Sequence, residues 1–188
     1  MERSDSLNNM IQQLDEAVRL GDPNAIANKI KEQLGSICVC TEFQLPDQMT
    51  ECCPESYARR LLHHCPDLGY TVVVMTWGPG QKTGLHDHAG MWCVECVVEG
   101  ELDVTQYDLT EAKDDRCRFQ EEQTIRASVG DAGCLIPPYE YHVLANARSD
   151  RKAVTLHVYG GEMDHCNIYE PGDDGWWARQ QRSLSYNA

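Results

Sequence analysis

The sequence predicts a mainly β protein, an antiparallel barrel or sandwich with short helices at its N-terminal end. Two observations carry this prediction. From residue 70 onward, β-branched and apolar runs recur at short spacing, with Gly, Pro and Asp between them. Helical periodicity is confined to the residues before that point.

The helices come first. Ser6 is placed to cap a helix reaching about Leu20, with Leu7, Met10, Ile11, Leu14 and Val18 on one face. Gly21 ends it, and Asp22-Pro23 supplies an N-cap followed by proline at the first helical position. Ala25, Ile26, Ile30 and Leu34 form the second apolar stripe, which Gly35 closes. These helices carry no chemistry of their own and read as a cap on the sheet. Residues 38–43 read as a short strand or extended linker. Pro54 opens a third short helix over residues 55–64, stopped by Pro66. On these residues alone, Arg59 and Arg60 read as surface charges.

The strands follow at 70–77, 91–98, 102–108, 124–129, 133–136, 142–145, 154–159 and 167–169. Residues 113–122 are charged and read as a loop. The tail, 175–188, holds Trp176 and Trp177 and could pack as a closing arm or fray. There is no internal repeat and no low-complexity tract. One domain over 1–188 is expected, with a helical cap at 1–68, a barrel core at 69–170 and a C-terminal arm at 171–188.

The net charge of −14 argues against a nucleic-acid backbone or an anionic membrane as a main partner. No window is apolar for long enough to span a bilayer, and the first residues lack the basic and apolar parts of a signal peptide. The ten cysteines are scattered through apolar strands. Cys93 and Cys96 form a single Cys-x-x-Cys pair, on a strand where they face opposite sides. Reduced thiols in a cytoplasmic protein are the expectation.

Chemistry concentrates at residues 80–100. His86 and His88 are two apart, and on a strand such residues share a face. Of the seven histidines, His63, His64 and His165 lie beside turn or helix-end signals and read as surface. His142 follows Pro137-Pro138 at the start of a strand, a position like that of His86 and His88. Three neutral imidazoles would hold a divalent metal and leave coordination positions open. These residue types do not choose among zinc, iron and nickel. Taken singly, Cys93 reads as a small buried apolar residue, Tyr159 as core and His157 as a satisfied strand histidine.

The spacing Gly80, five residues, His86, one residue, His88, four residues, Cys93, six residues, Gly100 resembles the first signature of the cupin superfamily. Pro137, Tyr139, His142 and Asn146 resemble its second, with Tyr139 in place of the usual glycine. Most cupins have a metal-binding glutamate where Cys93 stands. That departure resembles the thiol dioxygenases, and within them the cysteine dioxygenase family. Thr155-Leu156-His157-Val158-Tyr159 resembles this family's Ser-x-His-x-Tyr strand, Tyr57-Ala58-Arg59 its Tyr-x-Arg, and Asp164-His165-Cys166 its Asp-x-Cys. The likeness covers residues 50–170.

The resemblance implies a jelly-roll-like cupin barrel, usually monomeric. It implies Fe(2+) held by His86, His88 and His142, with a small-molecule thiol and O2 as reactants. Arg59 would hold the substrate carboxylate, assisted by Tyr57. His157 would hydrogen-bond and orient the Tyr159 hydroxyl, and Cys93 and Tyr159 would be joined by a thioether. The reaction would convert L-cysteine to cysteine sulfinate. Gly160-Gly161 stands where mammalian members have Ser-Pro-Pro, as in bacterial relatives, some of which prefer 3-mercaptopropionate. Those relatives carry Gln at the position of Arg59 and Gly at that of Cys93, so both positions here favour cysteine. Readings from other classes are a non-enzymatic metal-binding cupin sensor and a zinc or nickel isomerase or hydrolase cupin.

Overall fold

The computed structural model describes residues 4–188. Two helices open the chain, α1 (Asp5–Val18) and α2 (Pro23–Cys38). Ser4, not Ser6, caps α1: its hydroxyl accepts from the Leu7 amide at 3.3 Å. Asp22 caps α2 as expected, accepting from the Ala25 amide at 2.9 Å. α2 does not stop at Gly35. The helix runs on through that glycine, whose lack of a side chain lets a neighbouring turn approach; a Cβ there would sit 3.1 Å from the Gly130 carbonyl oxygen.

Eleven strands follow: β1 (Ala58–Cys65), β2 (Tyr70–Trp77), β3 (Leu85–His86), β4 (Cys93–Glu99), β5 (Glu101–Lys113), β6 (Arg116–Ser128), β7 (Ala132–Leu135), β8 (His142–Asn146), β9 (Ala153–Tyr159), β10 (His165–Pro171) and β11 (Trp177–Ser183). The first sheet has the order β1-β2-β9-β4-β7. The other six strands run β10-β11-β6-β5-β8-β3, and β3 pairs back onto β10. All pairings are antiparallel. The mainly β expectation, antiparallel strands after short N-terminal helices, holds.

Both faces of the first sheet are buried, which explains its near-continuous apolar strands. Val72, Val74, Val94, Leu156 and Val158 face a core shared with Leu14, Ile30 and Leu34 of the helices. Val73, Met75, Trp77, Cys93 and Tyr159 face the other way, toward Leu102 and Leu144 of the second sheet. Each large aliphatic side chain so buried contributes about 1.5–3 kcal/mol. Cys93 and Cys96 fall in these two different cores, on opposite faces of β4. All ten cysteines are free. No helix among the described residues is long and apolar enough to cross a membrane.

Three expectations need correction. Residues 55–64, within the stretch expected to be helical, include most of β1, which pairs with β2 from Ala58↔Thr76 to Cys65↔Tyr70. Pairing with a buried central strand overrides the local helix signals. Arg59 and Arg60 are consequently buried, not surface charges, with 6% and 8% of their surface exposed. Residues 113–122, expected as a loop, form the tip and return strand of a long β5–β6 hairpin. One face of the return strand packs inward, Cys117 and Phe119 lying against Tyr169 and Trp177, while the intervening Arg116 and Arg118 are exposed. The C-terminal tail does pack. β11 pairs with β10 along its whole length, and the chain then runs back to β1, where Asn187 and Arg59 exchange two hydrogen bonds of 2.7 and 2.8 Å.

Candidate metal centre

His86, His88 and His142 converge. One nitrogen of each lies within 4.8 Å of the others, and the Nε2 atoms of His86 and His142 are 3.2 Å apart. Ring centroids are separated by 4.6 to 5.2 Å. His86 ends the two-residue strand β3, His142 pairs with it from β8, and His88 lies in the turn that follows. The same-face argument therefore reaches the right pairing, although only His86 is on a strand. Asp87 pins this turn: its carboxylate accepts from the Asn167 amide and side chain and from the Tyr169 hydroxyl, at 2.7 to 2.9 Å. Burial pushes the Asp87 carboxyl up, but these hydrogen bonds outweigh it and hold the group below its ordinary value.

The three imidazoles suit a divalent metal. Burial, and then the neighbouring His88, lower His86 to about 3. Burial, followed by His86 and His88, takes His142 well below its ordinary value. Both rings are thus neutral near pH 7 and offer lone pairs. Each Nδ1 faces an oxygen: that of His86 the Gly84 carbonyl at 3.0 Å, that of His88 Glu140 Oε2 at 3.5 Å, and that of His142 Glu95 Oε1 at 3.8 Å. The donor set therefore fits the metal that the residue pattern implies.

A small cavity of about 40 Å³ adjoins the cluster, lined also by Tyr57, Arg59, His157, Tyr159, Met163 and Cys166. The structure thus brings every expected site residue except Cys93 to its wall. Cys93 lies directly behind, opposite Tyr159 in the β4–β9 ladder. Arg59 reaches in from β1 and donates to the carbonyls of Met163 at 3.0 Å and Ser185 at 3.2 Å, beneath the Tyr186 ring. Tyr57 stacks on Trp77, centroids 4.8 Å apart. A polar vestibule of about 550 Å³ leads outward between residues 80–84 and the C-terminal arm, with Lys82 and Arg182 on its walls.

Thr155, His157 and Tyr159 share the inner face of β9, as their alternation predicts. The expected hydrogen bond from His157 to the Tyr159 hydroxyl is not what the structure records. His157 Nε2 pairs with Thr155 Oγ1 at 2.8 Å, and Thr155 accepts from Trp77 Nε1 at 3.0 Å. The His157 and Tyr159 rings instead stand nearly parallel, 6.0 Å apart, as side chains two residues apart on a strand do. Gly160 is required by its neighbour: a Cβ there would lie 2.3 Å from the Trp92 indole nitrogen. The Gly160-Gly161 departure is thereby explained by local packing.

Sequence reasoning missed Glu95, Glu140, Met163 and the arm residues Ser185 and Tyr186. The two acids left a trace, each lying two residues from a site residue in an otherwise apolar or aromatic run. Met163 and Ser185 contribute backbone carbonyls, for which no side-chain pattern exists.

The model of the family described as cysteine dioxygenase type I matches residues 7–171. The chain belongs to the cysteine dioxygenase type I family. Curated relatives of this family include "Cysteine dioxygenase type 1" of Rattus norvegicus and of Mus musculus, each 24% identical over 101 residues, covering 54% of this chain and 50% of theirs. The protein of that name from Homo sapiens is 22% identical over the same length. The chain matches about half the length of these curated relatives. Among solved structures, a protein from Thermus thermophilus, TT1209, is similar with 20% identity, a TM-score of 0.48 and coverage of 63% of this chain and 96% of that one. A cupin superfamily protein from Desulfitobacterium hafniense has 15% identity, a TM-score of 0.46 and coverage of 65% and 94%.

Proposed function

We propose that the protein is a non-haem iron(II) thiol dioxygenase acting on L-cysteine. The observation that carries this reading is one small cavity, in a member of the cysteine dioxygenase type I family, that joins three converging histidines to a buried arginine and a tyrosine. The net reaction is thiol plus O2 to sulfinic acid: two S–O bonds form, the O–O bond breaks, and no outside reductant enters. Iron(II) held by His86, His88 and His142 would supply coordination for the substrate thiolate and activation of O2.

The chain's own residues do the rest. Arg59 presents a fixed guanidinium to the substrate carboxylate, a charge-assisted contact that Lys would imitate poorly. The Met163 and Ser185 carbonyls hold it in place. Tyr57, braced on Trp77, borders the same space. Tyr159 offers a hydroxyl beside His88, ring centroids 6.1 Å apart. Burial, then Cys93, pushes that hydroxyl far above its ordinary value, so it remains a hydrogen-bond donor at neutral pH. His157 holds its place through Thr155 and Trp77. Cys93 contributes through the thioether with Tyr159.

The substrate is tested by oxygen uptake of the iron-loaded protein with L-cysteine and 3-mercaptopropionate side by side, products being identified by mass. Cysteine sulfinate at the higher kcat/KM supports the reading. A preference for 3-mercaptopropionate keeps the reaction and removes Arg59 as the determinant of specificity. Uptake with neither, nor with other small thiols, leaves the non-enzymatic cupin.

A further inference from the structure

We infer that Glu95 and Glu140 are positioning residues of the metal centre, each a buried carboxylate that takes the outward N–H of one metal-binding imidazole. The inference rests on reading His86, His88 and His142 as the metal ligands. Glu140 and Glu95 are buried, with 5% and 8% of their surface exposed. A buried carboxylate without a cationic partner is costly and needs a compensating donor. Among the described residues neither has an arginine or lysine partner; the side chains that face them as donors are imidazoles, joined at Glu140 by the His88 backbone amide.

The arrangement is directional. Glu140 Oε2 accepts the His88 backbone amide at 2.9 Å, which fixes the carboxylate against that residue, and lies 3.5 Å from His88 Nδ1. Glu95 reaches two rings, with Oε1 3.8 Å from His142 Nδ1 and Oε2 3.7 Å from His157 Nδ1. These separations exceed formed hydrogen bonds. Yet His88 Nδ1, His142 Nδ1 and Glu95 Oε2 are all buried with no other hydrogen-bond partner. Each of the two unpartnered imidazole nitrogens thus faces a carboxylate oxygen, Glu140 Oε2 for His88 and Glu95 Oε1 for His142, while the unpartnered Glu95 Oε2 faces His157, and a metal on the opposite nitrogen would fix the tautomer that joins ring to carboxylate. His86 already has its acceptor in the Gly84 carbonyl. The centre thus has two carboxylate-backed ligands and one carbonyl-backed ligand.

Two consequences follow. Negative charge behind neutral ligands raises their basicity and strengthens metal binding. Glu95 also ties the metal ligand His142 to His157 on β9, so a single side chain orients the metal set and the strand that carries Tyr159.

The test is metal affinity by chelator competition, with Fe(II) and separately Zn(II), on the whole chain. Glu95→Leu and Glu140→Leu should each weaken binding roughly 10–100-fold. Glu95→Gln and Glu140→Gln, which keep an acceptor oxygen but not the charge, should fall between Leu and wild type. Affinity within two-fold of wild type in a folded Leu variant overturns the role of that residue. Failure of the wild-type protein to bind either metal would remove the metal centre itself, a different result. Should the Leu variants not fold, ¹⁵N spectra of the Zn(II)-loaded wild-type protein decide. Protonated Nδ1 on His88 and His142 supports the inference, and coordination through Nδ1 overturns it.

Discussion

Cys93 and Tyr159 stand directly opposite each other in the β4–β9 ladder. Opposed Cβ atoms in an antiparallel pair lie about 4.5–5.5 Å apart, so sulfur and phenol ring are neighbours without any backbone movement. Burial, followed by the nearby Glu95, pushes the thiol well above its ordinary value, so neither group ionises at neutral pH. A thioether here forms one C–S bond and loses two hydrogens, with O2 as oxidant. After incubation of the iron-loaded protein with cysteine and air, peptide mapping should give one cross-linked species containing both residues, lighter by two hydrogens than the separate peptides. Cys93→Ser and Tyr159→Phe should each abolish it. Tyr159→Phe should also lower kcat by about 10²-fold. An uncross-linked wild-type protein after sustained turnover would remove the thioether from the mechanism.

Arg59 should govern substrate binding and leave metal content untouched. Its guanidinium borders the cavity but touches none of the three histidines. A hydrogen bond to a charged group contributes about 1.5–3 kcal/mol, equivalent to roughly 10–100-fold in affinity. Arg59→Ala should raise KM for cysteine by that factor at normal iron content. Arg59→Lys should recover little, because one ammonium cannot serve both backbone carbonyls and a carboxylate. An unchanged KM would take Arg59 out of the substrate site.

His142→Ala should leave the protein folded and metal-poor, with iron below about one-tenth of the wild-type content by elemental analysis, since two imidazoles bind far more weakly than three. His157→Ala should retain iron, because its ring is turned to Thr155 and Glu95. The reverse outcome would make His157 the third ligand.

The difference in legibility between these residues is physical. His86, His88, Thr155, His157 and Tyr159 were readable because their chemistry repeats with the strand period or at fixed short spacing. Arg59 was assigned a role by its motif but the wrong local structure and exposure. What buries it is a strand partner in β2 and a C-terminal arm more than 120 residues away, and no local window carries that information. The distal part of the β5–β6 hairpin reads as a loop because its inward face is only Cys117 and Phe119 amid charged residues, and the aromatic partners that bury them, Tyr169 and Trp177, lie on other strands. Glu95 and Glu140 lay in plain sight as acids in apolar or aromatic runs, but their partners became evident only once three imidazoles were placed around them.

The metal-free protein should be most stable near pH 6.5. Burial lowers both His86 and His157 to about 3. Between pH 6.5 and 3 the unfolded chain therefore binds more protons at these rings than the folded one, and stability falls as pH drops. Glu95 works the other way: burial raises it to about 8. Between its unfolded value, about 4.3, and 8 the folded state holds the extra proton, and stability falls as pH rises. Thermal unfolding of apoprotein from pH 4 to 9 should show both limbs. A bound divalent cation favours the Glu95 carboxylate, so the metal-loaded protein should lose the alkaline limb. An alkaline limb that persists with metal bound would mean that Glu95 does not sense the metal.

The C-terminal arm should act on substrate rather than on metal. Arg59 and Asn187 exchange two hydrogen bonds, Ser185 supplies a carbonyl to the guanidinium, and Tyr186 covers it. The arm also lines the vestibule at Leu184 and Ser185. Removing residues 184–188 should free Arg59 to take several orientations, which costs the pre-organisation on which a tight carboxylate contact depends. KM for cysteine should rise about 10-fold, iron content should stay normal, and the melting temperature should fall by a few degrees from lost edge pairing. Ser185→Ala, which keeps the backbone carbonyl, should behave as wild type, whereas Tyr186→Ala should give a smaller KM increase than truncation. If truncation lowered iron content at unchanged KM, the arm would be bracing the barrel and not the Arg59 clamp.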